Sequence, residues 1–387
     1  MAEEKKKKNP LSTAMKSMLD EAIEDSVDNI EPTYLETCNI GFDFALTNGK
    51  GIPLGTSVMF YAEPGCGKTT LLGDVCLRLI NNAKARKEDF KVLYIATEDS
   101  KELLKSIGLE DAMRDGTFIY AKKDWCWRQV EAFYEGVLQG YGKYKDVKLI
   151  VIDSMNTVLS EANKSKSIVE GDYGSKAKER SAFLSKYLPV CSERGITSFL
   201  ITQVRQVQNV TNQYQDPKKA AAAFADFHLV EIVVKCMKKA DAKDAQKAEV
   251  QTIFGEVQEQ TKYIMKLNSS ATSCKNRFFQ GTPSEVLVVK GKGIDNTYVV
   301  RKLLEGNGYV KATGGYYSFD KTMQELLKAP KEKIRREECN RIVEANIGTI
   351  VSYLKKAGQY KLELSTEIVE GELVEDEDED ITEEIDE

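Results

Sequence analysis

The chain has 387 residues, 42% hydrophobic and 30% charged, with a formal net charge of −6. No apolar run approaches the roughly 20 residues a membrane span needs, and the lysine-rich start, Met1 to Lys8, lacks the apolar stretch of a secretory signal. Eight scattered cysteines without a C-x-x-C pair fit reduced thiols in a cytoplasm, and a single histidine, His228, excludes multi-histidine metal centres and argues against a Ser-His-Asp hydrolase.

In chain order, Leu11, Met15, Met18, Leu19 and Ile23 recur at helical spacing, which predicts an amphipathic helix within residues 9–30. Apolar runs of strand length follow at Ser57–Ala62, Val92–Ala96, Leu149–Asp153 and Thr197–Thr202. Helix-length stretches lie at 68–84, 128–141 and 175–193. Continuous apolar strands alternating with helices predict an α/β fold, a mostly parallel sheet covered by helices on both faces. Two long polar stretches interrupt it, Ser160–Ser175 and Arg205–Lys219. A Lys/Ala/Gln/Glu-rich segment at 239–260 reads as helix. Further strand signals stand at Tyr263–Leu267, Val286–Val289 and Tyr316–Phe319, with a helix at Asn296–Glu305.

The expected organisation is a basic run and helix at 1–34, a core at 35–320, a small helical C-terminal region at 321–369 and a disordered acidic tail at 370–387. That tail holds 12 Asp or Glu and no Lys or Arg, and without it 55 basic residues face 49 acidic ones. A mildly basic body with an acidic end suits either a tail that competes with a polyanion partner or a plain solubilising end.

The strongest motif is Ala62-Glu63-Pro64-Gly65-Cys66-Gly67-Lys68-Thr69-Thr70, after a strand and before a helix. That is a P-loop in its required context, with alanine where the strict pattern has its first glycine. Its backbone N–H groups converge on phosphate oxygens, and the helix N-terminus adds its dipole. Lys68 is expected to reach the β and γ phosphates and Thr69 to ligate Mg²⁺, with ATP as the nucleotide. Asp153, ending an apolar strand, is a second Mg²⁺ candidate. Glu98 is placed to activate water at the γ-phosphate, with Asp99 as its rival. Gln203 at a strand end is either a γ-phosphate contact or an ordinary amide.

Lys164, Lys166, Lys176 and Lys178 in or beside the first polar stretch, with Arg205, Lys218 and Lys219 in the second, put cations on polar segments. Such groups bind nucleic-acid backbone without reading sequence, or remain solvated surface. Tyr173, Tyr214 and Phe224 are candidates for base stacking. Trp125 and Trp127 read as packing.

The ordered set Gly55 to Thr70, Glu98, Ile152-Asp153-Ser154 and Gln203-Val204-Arg205 resembles the RecA family of DNA strand-exchange recombinases, bacterial and phage. So does the closing segment, Lys290-Gly291-Lys292-Gly293-Ile294-Asp295, Leu303–Gly308 and Ala312–Phe319. The resemblance covers roughly residues 35–320. It implies a RecA-like ATPase core and a filament of identical subunits on single-stranded DNA, pairing it with duplex DNA at the expense of ATP, in a bacterial or phage-infected cell. A single-strand-binding protein or loading factor is a further expected partner. It also implies that Glu98 is the catalytic base, that Gln203 senses the γ-phosphate, and that Lys266 reaches a neighbour's nucleotide. The second such lysine is Asn268 here, Leu103 replaces an adenine-stacking aromatic, and the second DNA loop lacks its glycine pair. Two rival readings are a ring-forming motor of helicase type and a non-catalytic nucleotide-holding mediator.

Overall fold

In the computed structural model, the described residues are 33–161, 173–206, 218–220, 224–239, 248–251, 257–260, 262–270, 274–279 and 283–362. They divide into two compact units, the first ending at Asn296 and the second beginning at Thr297. The division thus falls inside the stretch 35–320 expected as one core. The helix expected within 9–30 and the acidic tail lie outside the described residues.

The first unit is built on strands β1 (Ser57–Ala62), β2 (Lys91–Ala96), β3 (Phe118–Lys122), β4 (Val147–Asp153), β5 (Thr197–Gln206), β6 (Ile232–Lys238), β7 (Lys262–Asn268), β8 (Ser284–Val289) and β9 (Gly293–Asp295). They lie in the order β9-β8-β7-β6-β1-β5-β4-β2-β3. From β6 through β3 every pairing is parallel, whereas β7, β8 and β9 add on antiparallel. The short strand Lys218–Ala220 pairs with the end of β5.

Strand periodicity divides the core between the two sheet faces. Val58, Phe60 and Ala62 join one cluster with Phe42 and Leu46 of helix α1 (Ile40–Thr47) and Leu71, Leu72, Val75 and Leu79 of α2 (Lys68–Arg86). Met59 and Tyr61 join the other, with Trp127, Val130 and Tyr134 of α3 (Trp127–Leu138) and Phe183, Leu184 and Leu188 of α4 (Tyr173–Glu193). Phe60 meets Phe199 edge-on at 5.3 Å between ring centroids, and Tyr134 meets Phe183 at 4.9 Å. Such aromatic pairs add about 0.5–1.5 kcal/mol each beyond area burial. Trp125 and Trp127 are both buried packing residues.

Two expectations change. Residues 248–251 and 257–260, read as helix, pair as antiparallel strands in four cross-strand pairs. Helix propensity amounts to a fraction of a kcal/mol per residue, and strand pairing overrides it. The first polar stretch also ends earlier than expected, because α4 already begins at Tyr173.

The second unit holds both the helix expected at Asn296–Glu305 and the strand expected at Tyr316–Phe319. Its helix α5 (Asn296–Gly306) is followed by the hairpin Val310–Thr313 and Tyr316–Phe319, turned by Gly314 and Gly315 at φ 58° and 87°. The strand Ile334–Arg335 pairs antiparallel with Tyr316–Tyr317, and helices Lys321–Leu327, Arg336–Ala345 and Ile347–Lys356 follow in the same unit. Arg301 is buried between Tyr298 and Tyr317, donating to Glu305 at 2.6 Å and to the Tyr317 hydroxyl at 3.1 Å. Among the described residues no helix is long and apolar enough to cross a membrane.

Candidate nucleotide site

Register brings the chosen residues to one edge. Ala62 pairs with Gln203 across β1 and β5, and Ala96 pairs with Asp153 across β2 and β4. The phosphate loop, Glu98, Asp153 and Gln203 therefore leave the carboxyl ends of adjacent parallel strands. In open α/β sheets that edge is where ligands bind.

Glu63, Pro64 and Gly65 are exposed, whereas Cys66 is buried and its thiol is pushed up by desolvation. Gly65 and Gly67 have φ of 72° and 94°, in the left-handed region. At Gly67 a side chain is barred twice over, since a Cβ there would lie 2.1 Å from the Tyr263 hydroxyl. Helix α2 then opens with no side-chain cap and no acid in its first turn. Its leading N–H groups and dipole face outward beside Lys68, Thr69 and Thr70, which fits an anion. Lys68 Nζ donates to the carbonyls of Ala62 and Glu63, both at 3.1 Å.

Thr69 Oγ1 donates to Asp153 Oδ2 at 2.8 Å, and Tyr94 donates to the same oxygen at 2.6 Å. Asp153 is buried, and desolvation raises its carboxyl above the ordinary range against the pull of Tyr94, Thr69 and Lys68. The Tyr94 phenol is raised too, by burial and then by Asp153, so it stays a neutral donor. A buried carboxylate beside Lys68 and a threonine hydroxyl is a donor set that suits a hydrated divalent cation. The site residues thus fit nucleotide and Mg²⁺ together.

The sequence left Glu98 and Asp99 as rivals, and the structure gives them different partners. Asp99 is ion-paired with Lys122, whose hydrogen bond holds its carboxyl below the usual value. Glu98 is exposed, with Oε1 3.4 Å from Gln203 Nε2. Thr97, just before it, accepts from Ser154 N–H at 2.7 Å and donates to Asp153 O at 2.9 Å. Lys266 lies half-buried on β7, between Glu285 and Met237 of its neighbours in register.

The proposed DNA contacts fare unequally. Lys164 and Lys166 lie outside the described residues. Arg205, Lys218 and Lys219 stand on the ladder that joins the end of β5 to Lys218–Ala220. Lys176 differs from the expected solvated cation. It is half-buried, its ammonium donates to Asn156 O, and burial and then Arg180 lower its proton affinity. Nearby, Arg180 and Asp226 form a buried ion pair at 2.7 Å. Sequence reasoning missed Tyr94, Thr97, Asn156 and Tyr263, none of which belongs to a local spacing pattern.

Sheet order, phosphate loop and strand-end carboxylate are those of a P-loop nucleotide-binding core. A sequence profile described as an AAA domain matches residues 47–209, the span that holds the phosphate loop, Tyr94, Glu98, Asp153 and Gln203. The chain is 27% identical over 160 residues to the DNA repair protein RadA of Aquifex aeolicus (strain VF5), covering 40% of this chain and 30% of that protein. It is 32% identical over 114 residues to the DNA repair protein RadA of Rickettsia bellii (strain RML369-C), covering 29% and 22%. The chain thus spans less than a third of the length of these curated relatives.

Proposed function

We propose that this protein is an ATP-dependent DNA recombinase of the RecA family, which forms a filament on single-stranded DNA and promotes homologous pairing and strand exchange. The observation that carries the reading is the shared sheet edge. Strands β4 and β5 bring Asp153 and Gln203 to the phosphate loop, and the two polar, cation-bearing stretches run on from the same strand ends. The likeness to proteins named for DNA repair supports DNA as the partner.

In this reading the loop from Glu63 to Thr70 binds the triphosphate through main-chain N–H groups, and Lys68 exchanges its carbonyl partners for phosphate oxygens. Mg²⁺, when bound, neutralises charge that develops on the phosphates. Thr69 and Asp153 would hold it, the threonine offering its lone pairs because its hydrogen is committed to the carboxylate. Glu98 accepts the proton of the attacking water, and Gln203 orients that water or the γ-phosphate beside it. Lys266 reaches the nucleotide of an adjoining subunit. Lysines and arginines of the two stretches neutralise DNA phosphates without reading bases.

The test is steady-state ATP hydrolysis with and without single-stranded DNA at two salt concentrations. Stimulation that fades with salt is expected, with open filaments in electron micrographs. Hydrolysis indifferent to DNA, or closed rings, would sink the recombinase reading.

A further inference from the structure

Strand β4 pairs with β5 only as far as Ile152 and Leu200, after which its chain turns away at Ser154–Thr157. Beyond that point β5 keeps hydrogen-bond partners from the turn itself. Met155 N–H donates to Ile201 O at 2.9 Å. Asn156 Oδ1 then accepts from the Thr202 hydroxyl at 2.7 Å and from the Gln203 N–H at 2.8 Å. One carboxamide oxygen does what a strand would do, and it does so at the residue facing Glu98. The same asparagine's main-chain carbonyl receives Lys176 of α4. From the other side, Thr97 grips the turn at Ser154 and Asp153.

We infer that Asn156 is a positioning residue that links Gln203, at the nucleotide edge, to the two elements that adjoin the polar stretches: β5, which the second stretch continues, and α4, into which the first leads. A displacement of the Gln203 main chain pulls on its N–H bond to Asn156, and the asparagine cannot move without moving the partner of Lys176. Two-state coupling between distant sites needs such a shared element. The inference rests on the reading of the protein as a nucleotide-controlled DNA binder.

The experiment uses the full chain and a fluorescent oligo-dT, comparing affinity with a non-hydrolysable ATP analogue and with ADP. Asn156→Leu should lower the ratio of the two affinities roughly tenfold, while binding of a fluorescent ATP analogue stays within about twofold of wild type. Asn156→Asp, whose carboxylate accepts from the same two donors, should keep the ratio. Thr202→Val removes one donor and should give an intermediate loss. An unchanged ratio in Asn156→Leu overturns the inference, as does equal loss in Asn156→Asp. Loss of nucleotide binding in both Asn156 variants overturns it too, since it makes the residue merely structural. A wild-type ratio of one defeats the functional reading itself and the coupling with it.

Discussion

Two glycine-containing motifs stand out along the chain, the phosphate loop and Lys290–Asp295, and the structure uses glycine oppositely in them. Gly67 sits at the start of α2, which has no side-chain cap, and the neighbouring lysine donates to two neutral carbonyls. Gly293 sits in a closed corner. Its φ is 112°, and a Cβ there would lie 2.5 Å from Asp74 Oδ1. Asp74 is buried and fully engaged, accepting from Asn39 Nδ2 at 3.1 Å, Arg78 Nε at 2.7 Å and Ile294 N–H at 3.2 Å. Asn39 in turn caps α1 by accepting from Phe42 N–H. One motif opens its helix with no side-chain cap. The other directs Ile294 N–H, Arg78 and Asn39 onto Asp74 and so pins α1, α2 and β9 together.

Substitutions can break this contrast. Lys68→Ala should cut ATP hydrolysis by roughly 10²- to 10³-fold, since it removes a cation aimed at developing charge. Its urea midpoint should stay near wild type, and a parallel fall in stability would erase the distinction. Asp74→Ala should do the reverse, costing about 3 kcal/mol of stability by stranding two buried N–H donors and a half-buried arginine. Nucleotide affinity in the folded fraction should be unchanged.

Smaller changes sharpen the comparison. Gly293→Ala should cost about 2 kcal/mol, combining left-handed strain with the Asp74 contact. Gly65→Ala, with nothing within 4 Å of its added Cβ, should cost only about 1 kcal/mol from backbone strain. Equal losses in urea unfolding would mean that the Asp74 corner yields more readily than its burial implies.

Local chemistry was the part most legible in the sequence. The phosphate loop is a contiguous spacing, and β1, β2, β4 and β5 announce themselves as apolar runs because both of their faces are covered. Strand β6 did not, since Lys235 cuts its apolar run to the three residues Ile232–Val234, although it pairs directly with β1. Tyr94 and Asp153 meet across 59 residues, and Asn156 and Gln203 across 47. Such partners are fixed by strand order, which no window along the chain contains. The pairing of 248–251 with 257–260 was missed for the converse reason, because composition favoured helix where pairing decided otherwise. Lys176 shows the same limit, since its charge was visible and its inward contact with Asn156 was not.

The grip of Ala62 and Glu63 on Lys68 has a consequence for selectivity. An arriving phosphate does not meet an idle ammonium. It competes with two carbonyls already in place, so measured affinity reports the difference between two sets of lysine partners. Neutral competitors gain little from such a trade, because they offer no more than the carbonyls do. Anions gain the charge-assisted excess, about twice the strength of a neutral hydrogen bond. The loop thereby favours anionic visitors over neutral ones at the lysine.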